Sequence, residues 1–169
     1  AYGMLLERYA LLDPLQSGFR RGMSTETALM NVVDDVKRAI DERKVTILVL
    51  LDFSEAFDMV NHCILLKKLA SLGFTTSACE WISSYLTQRC QAVMGENDVL
   101  SKWTEMSRGV PQGTIFGPLF FICYTRDLPH HLNHVEHMAY ADDVQIYEHT
   151  TIDKLQHAVQ EINVELVSI

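Results

Sequence analysis

Val45-Thr-Ile-Leu-Val-Leu-Leu-Asp52 decides the fold: seven apolar or β-branched residues run without a break into an acid. The run is short for a helix and rich in branched side chains, which predicts a strand buried on both faces. Such a strand delivers the Asp52 carboxylate to the edge of a core. Upstream, Ala28, Leu29, Val32, Val33, Val36 and Ile40 recur at helical steps between Ser24 and Lys44, after a Ser24/Thr25 cap and with Glu26 in the first turn. That spacing predicts an amphipathic helix buried along those positions. Downstream, helical patterns cover 61–72 and 75–87 with Gly73 between them. A hairpin is then predicted from Cys90–Met94 and Trp103–Ser107 around Gly95–Asp98. Pro111, Gly113, Gly117 and Pro118 punctuate a loop before an apolar helix, Leu119–Leu128. Val135–Tyr140 and Val144–Tyr147 flank Ala141-Asp142-Asp143 as a second hairpin. The segment Ile152–Val167 reads as a helix with Leu155, Val159, Ile162 and Leu166 inward. The fold class is therefore α+β, a small and mostly antiparallel sheet covered by helices.

With 169 residues the chain suits one domain, and 48% hydrophobic with 21% charged residues excludes disordered, collagen-like and disulfide-scaffold classes. Its net charge of −8 argues against holding nucleic acid by a general positive field. The excess is local: residues 1–44 carry seven basic and seven acidic side chains, residues 45–169 seven and fifteen. Cys63, Cys79, Cys90 and Cys123 show no metal spacing and are expected to be buried thiols of a reducing compartment. An intracellular setting, nuclear or cytoplasmic, follows as the expectation. No run approaches the roughly 18 apolar residues of a membrane span, so no membrane partner is expected.

Adjacent acids at a hairpin turn are most often solvated. Here Asp142 and Asp143 sit on one strand connection while Asp52 ends another strand. Three carboxylates converging at strand ends repel one another unless a cation lies among them. All-oxygen ligation of that kind suits Mg²⁺, held by one or two carboxylates and completed by phosphates.

Three stretches, Leu51-Asp-Phe-Ser-Glu-Ala-Phe-Asp-Met-Val-Asn-His62, Arg108-Gly-Val-Pro-Gln-Gly-Thr-Ile-Phe-Gly-Pro-Leu119 and Tyr140-Ala-Asp-Asp143, resemble in order motifs A, B and C of reverse transcriptases. Gln16-Ser-Gly-Phe-Arg20 followed by Ser24–Leu29 resembles the pattern of non-LTR, LINE-type retrotransposons. The resemblance implies a polymerase palm over 45–169 with partial fingers over 1–44, and places motif D and the thumb beyond these residues. It further implies an RNA-directed DNA polymerase with Mg²⁺ as cofactor (two ions, with Mn²⁺ as a substitute) held by Asp52, Asp142, Asp143 and the Phe53 carbonyl. The partners would be an RNA template, a DNA primer and deoxynucleoside triphosphates, with thumb and endonuclease regions supplied elsewhere in the parent polyprotein. Two divalent ions would halve the −8 charge. By the same resemblance Phe57 blocks a ribose 2′-hydroxyl, Gln112 with Gly113 lies against the incoming nucleotide, and Arg20 grips its triphosphate through a planar guanidinium.

Thr114 and Phe116 depart from the family's usual Ser and Leu, and Thr125-Arg126-Asp127 from Ile-Asn-Asp. Two other functions fit parts of the sequence: a catalytically inert retroelement remnant or domesticated RNA-binding module, and another palm-type nucleotidyl transferase. The Gly-Val-Pro-Gln-Gly loop counts against the latter. His130, His131, His134 and His137 are read as a turn region, not a metal site, and Arg21 and Arg108 as surface cations. Trp81, Ile82, Tyr85 and Leu86 are expected in the core, with Trp103 packed rather than stacked on bases. Asp58, Asn61 and His62 are expected to shape the turn after motif A.

Overall fold

In the computed structural model, which describes residues 11–169, Ser24 starts helix α1 (Thr25–Asp41). Its hydroxyl accepts from the Thr27 N–H at 3.2 Å and the Thr27 hydroxyl accepts from the Ser24 N–H at 2.9 Å, a capping box with Thr in the usual Glu place. At the other end Arg43 takes φ 58°. The Lys44 N–H returns to the Ala39 carbonyl and the Arg43 N–H to Ile40, closing the helix and turning the chain directly into a strand. The first ten residues of the 1–44 segment lie outside the described residues.

The described residues form two compact units, residues 11–54 with 125–169, and residues 55–124. In the first, β1 (Val45–Asp52), β4 (Glu136–Tyr140) and β5 (Asp143–Thr150) make an antiparallel sheet in the order β1-β5-β4. Ile146, on the central strand, is fully buried. Ala28 and Val32 of α1 pack on Met138 and Tyr147, and the Tyr147 hydroxyl donates to Asp35 at 2.6 Å. Burial and that carboxylate push the tyrosine's pKa up. Ala139, Val144 and Ile146 face the opposite way and pack with Ile162 of α5 (Leu155–Ser168), joined by Ile47, Val49 and Leu51.

Three expectations for this unit are corrected. Strand β1 is half-buried on one face and exposed on the other: as the edge strand of an antiparallel sheet it leaves Leu48 and Leu50 exposed, while Ala28 and Val32 of α1 pack on Met138 of β4 and Tyr147 of β5. Helix α1 accordingly buries Ala28, Val32 and Ala39 but leaves Leu29, Val33 and Ile40 exposed. Helix α5, preceded by a short 3₁₀ turn (Ile152–Lys154), exposes Leu155 and Val159 and buries Glu165, whose carboxylate accepts from the N–H groups of Asn133 and His134 at 3.1 and 3.0 Å.

In the second unit α2 (His62–Ser71) and α3 (Thr76–Leu86) pack as a hairpin, turned by Gly73 at φ 85° and capped by Asn61 and Thr75. The predicted Cys90–Met94/Trp103–Ser107 hairpin shrinks to β2 (Cys90–Gln91) paired with β3 (Thr104–Glu105), plus a Met94–Leu100 bridge and a 3₁₀ turn (Glu96–Asp98). Its strands are exposed, so no core extends the pairing. The apolar helix is α4 (Phe116–Thr125), beginning earlier than predicted; a separate 3₁₀ turn covers Leu128–His131 in the first unit.

Ile82 and Leu86 are buried as expected, whereas Trp81 and Trp103 are exposed. Trp81 stacks on Tyr85 and meets Phe116 edge-on, so the bulk of Phe116 is absorbed by an aromatic cluster on α3 and α4. Cys123 is buried, but Cys63 and Cys90 are exposed, on the solvent side of α2 and on the short hairpin, contrary to the buried-thiol expectation. Among the described residues no helix is long and apolar enough to cross a membrane. Ile146→Ala should cost about 2–5 kcal/mol of unfolding free energy and Leu50→Ala less than about 0.5 kcal/mol in urea denaturation. Equal costs would contradict the exposure of the Leu48–Leu50 face of β1.

Candidate active site

The β1–β5 ladder pairs Val45 with Thr150 and continues without a bulge to Asp52 opposite Asp143. Directly paired residues share a face, so the two carboxylates stand on the same side of the sheet at its end. On its other side Asp143 pairs with Tyr140 across a two-residue turn, Ala141-Asp142. The two acids expected together at a turn are thus divided: Asp142 is in the turn, and Asp143 is the first residue of β5. Asp52 and Asp143 are exposed and Asp142 is half-buried.

Like charges directly opposite each other destabilise a ladder. No salt bridge or hydrogen bond among the described residues engages the side chain of Asp52, Asp142 or Asp143. The expected three-acid convergence is only partly formed, since no group of three His, Cys, Asp or Glu side chains among the described residues stands close enough to hold a metal. The strand register explains why: it places two acids opposite each other and leaves Asp142 on the turn. An all-oxygen set of two facing carboxylates with a third one residue away fits a hard cation such as Mg²⁺, which needs only one or two carboxylates from protein.

Other residues singled out from the first unit take different places. Phe53 is half-buried against the Ala139, Val144, Ile146 and Ile162 cluster. The Arg20 guanidinium donates through Nη1 to the carbonyls of Asp13 at 2.9 Å and Gln16 at 3.1 Å, so this arginine also ties its own loop. His137 is buried and meets Asp13 at 2.9 Å, while His130 and His131 lie in the exposed 3₁₀ turn; the histidines form no metal cluster. Sequence reasoning missed Gln16, 4% exposed and bonded to the Ala141-Asp142 turn. Its place inside the Gln-Ser-Gly-Phe-Arg pattern was the available signal.

In the second unit the end of the motif A stretch and the start of the motif B stretch lock together. The Gly109 N–H donates to the Val60 carbonyl and the Val110 N–H to Phe57, at 2.8 and 2.9 Å. Buried His62 donates from Nε2 to the Gly109 carbonyl at 2.7 Å. Asp58 accepts from the Gln112 amide on both oxygens, at 3.2 and 3.3 Å. Asn61 caps α2 by accepting from the Ile64 N–H. These three polar residues shape the turn as expected. Phe57 stacks on buried Phe121 with ring centroids 4.5 Å apart and stays half-exposed. Gln112 and Gly113 are exposed, and Thr114 ties the loop by donating to the Pro111 carbonyl and accepting from the Gly117 N–H. Arg108 is exposed, with Nη1 3.6 Å from the Met59 sulfur.

The sequence profile described as reverse transcriptase (RNA-dependent DNA polymerase) matches residues 3–168. The chain is 32% identical to a probable RNA-directed DNA polymerase from transposon BS of Drosophila melanogaster, over 94% of this chain and 18% of that protein. It is 32% identical to the corresponding X-element protein of the same species, over 74% of this chain and 14% of the relative. A third relative, the RNA-directed DNA polymerase from mobile element jockey of Drosophila funebris, is 31% identical over 89% of this chain and 17% of its own length. The chain spans less than a fifth of each of these relatives.

A Cβ on Gly109 would fall 2.8 Å from the Asp58 carbonyl oxygen, whereas one on Gly113 meets nothing within 4 Å; both glycines have positive φ. Gly109→Ala should therefore destabilise the protein by at least about 1 kcal/mol more than Gly113→Ala in chemical denaturation. Equal losses would mean that the Asp58 backbone does not constrain the loop.

Proposed function

The chain belongs to the reverse transcriptase (RNA-dependent DNA polymerase) family, and on that premise we propose that it is the palm with part of the fingers of an RNA-directed DNA polymerase from a LINE-like retroelement. The observation that carries this function is the Asp52–Asp143 pairing at the end of the ladder, with Asp142 on the adjoining turn and no cationic side chain bonded to any of the three among the described residues. The proposed reaction is attack of a primer 3′-hydroxyl on the α-phosphate of a deoxynucleoside triphosphate, directed by an RNA template, with pyrophosphate leaving in line.

Asp52, Asp142, Asp143 and the Phe53 carbonyl would hold two Mg²⁺ ions. Bound there, Mg²⁺ supplies positive charge to the hydroxyl and to the phosphate oxygens. The chain's own side chains position and select. Phe57, fixed on Phe121 with part of its ring exposed, is the proposed block to a ribose 2′-hydroxyl. Gln112, held by Asp58, and the bare Gly113 backbone would contact the nucleotide. Arg20 would reach a triphosphate oxygen while its loop bonds set the direction of approach.

Asp142→Asn should abolish Mg²⁺-dependent extension of a DNA primer on poly(rA), and chelation of divalent ions should do the same to the unaltered protein. A wild-type rate in the variant would remove Asp142 from the metal site. An inert remnant would show no extension even before substitution. Phe57→Ala should raise ribonucleotide incorporation relative to deoxynucleotide incorporation; an unchanged ratio would exclude Phe57 as the gate.

A further inference from the structure

Gln16 lies far from the acids in sequence, yet both ends of its amide bond the turn that carries them. Nε2 donates to the Ala141 carbonyl at 3.0 Å, and Oε1 accepts from the Ala141 N–H at 2.8 Å and from the Gly18 N–H at 2.7 Å. The backbone holds the same place. Ser17 donates to the Ala139 carbonyl at 2.8 Å and Ala139 donates to Leu15 at 3.0 Å, a parallel bridge on the strand that leads into the turn. Gly18 permits this approach, since a Cβ there would fall 2.1 Å from the Ala141 nitrogen.

What the amide grips is a strained point. Ala141 sits at φ 60°, a left-handed conformation that a residue with a Cβ disfavours and a two-residue hairpin turn often demands. Asp142 and Asp143 follow immediately. With both its N–H and its C=O bonded to one buried side chain, the Ala141 peptide units rotate only by breaking those bonds, and that rotation would re-aim the next two carboxylates.

We infer that Gln16 is a positioning residue for the acid edge, fixing the Ala141 backbone so that Asp142 and Asp143 are presented to divalent metal in one orientation. The inference rests on the polymerase function proposed above. Groups that orient metal ligands typically change metal affinity or activity by about 10–100-fold when removed.

Primer extension on poly(rA) across a Mg²⁺ titration, with the full-length protein, tests it together with direct Mn²⁺ binding followed by electron paramagnetic resonance, in which Gln16→Met should weaken Mn²⁺ affinity about tenfold and an unchanged affinity would overturn the proposal. Gln16→Met keeps the volume and removes donor and acceptor. It should lower kcat about tenfold, leave KM for the deoxynucleotide within about twofold, and raise the half-saturating Mg²⁺ concentration at least about threefold. Adding Ala141→Gly should recover much of the Mg²⁺ response, because glycine adopts the left-handed turn unaided. A normal Mg²⁺ midpoint with a reduced amount of active protein would make Gln16 a stability residue and overturn the proposal. Asp142→Asn run alongside separates the two levels. No extension by the unaltered protein sinks the polymerase assignment, whereas an active unaltered protein and a dead Asp142→Asn, with a wild-type Mg²⁺ titration for Gln16→Met, sink only the positioning role. If Gln16→Met does not fold by circular dichroism, Gln16→Asn, which withdraws the amide by one methylene, enters the same titration; failure of both to fold overturns the proposal.

Discussion

The β1–β5 register is the constraint on which the rest depends. Side chains alternate faces along a strand, so a slip of one residue would carry Asp52 to the opposite face from Asp143 and turn Ile47, Val49 and Leu51 away from Ile162. The buried set on one face thereby fixes the position of the charged pair on the other. The polar edge is costly in isolation, because two carboxylates oppose each other across the ladder. Fully buried Ile146, on the central strand, supplies the compensating hydrophobic stability.

A second principle is shared by the two units: buried polar side chains lock backbone turns that sequence propensity alone would leave loose. Gln16 does this for Ala141, and His62 does it for Gly109. In each case a glycine, Gly18 or Gly109, allows two backbones to meet where a Cβ would collide. The aligned acids and the glycine-rich loop are therefore each held by residues that touch no reacting atom in the proposed chemistry.

Local signals made much of this legible from sequence. The apolar run to Asp52 fixed a strand and its end, Ser24 and Gly73 marked helix boundaries, and Tyr140-Ala-Asp-Asp143 marked a two-residue hairpin. What escaped was set by distant partners. The edge position of β1 depends on its pairing with β5 about a hundred residues away, so the same apolar run that looks doubly buried leaves Leu50 in solvent. The apolar stripe on α1 is wider than its buried face, because Leu29, Val33 and Ile40 keep helical spacing without a surface to cover. The Gln16–Ala141 bonds span 125 positions, beyond any local pattern. The acidic excess of the later part of the chain, which first argued against nucleic acid, includes the three acids of the ladder end.

The proposed polymerase function requires this ladder end to be a divalent-metal site. Anomalous diffraction from crystals of the protein grown with Mn²⁺, an RNA–DNA primer-template and a non-hydrolysable deoxynucleotide addresses it most directly. The expected result is anomalous density bridging the carboxylates of Asp52 and Asp142, with Asp143 beside it. Mn²⁺ bound only elsewhere, or held by Asp142 and Asp143 without Asp52, would contradict it.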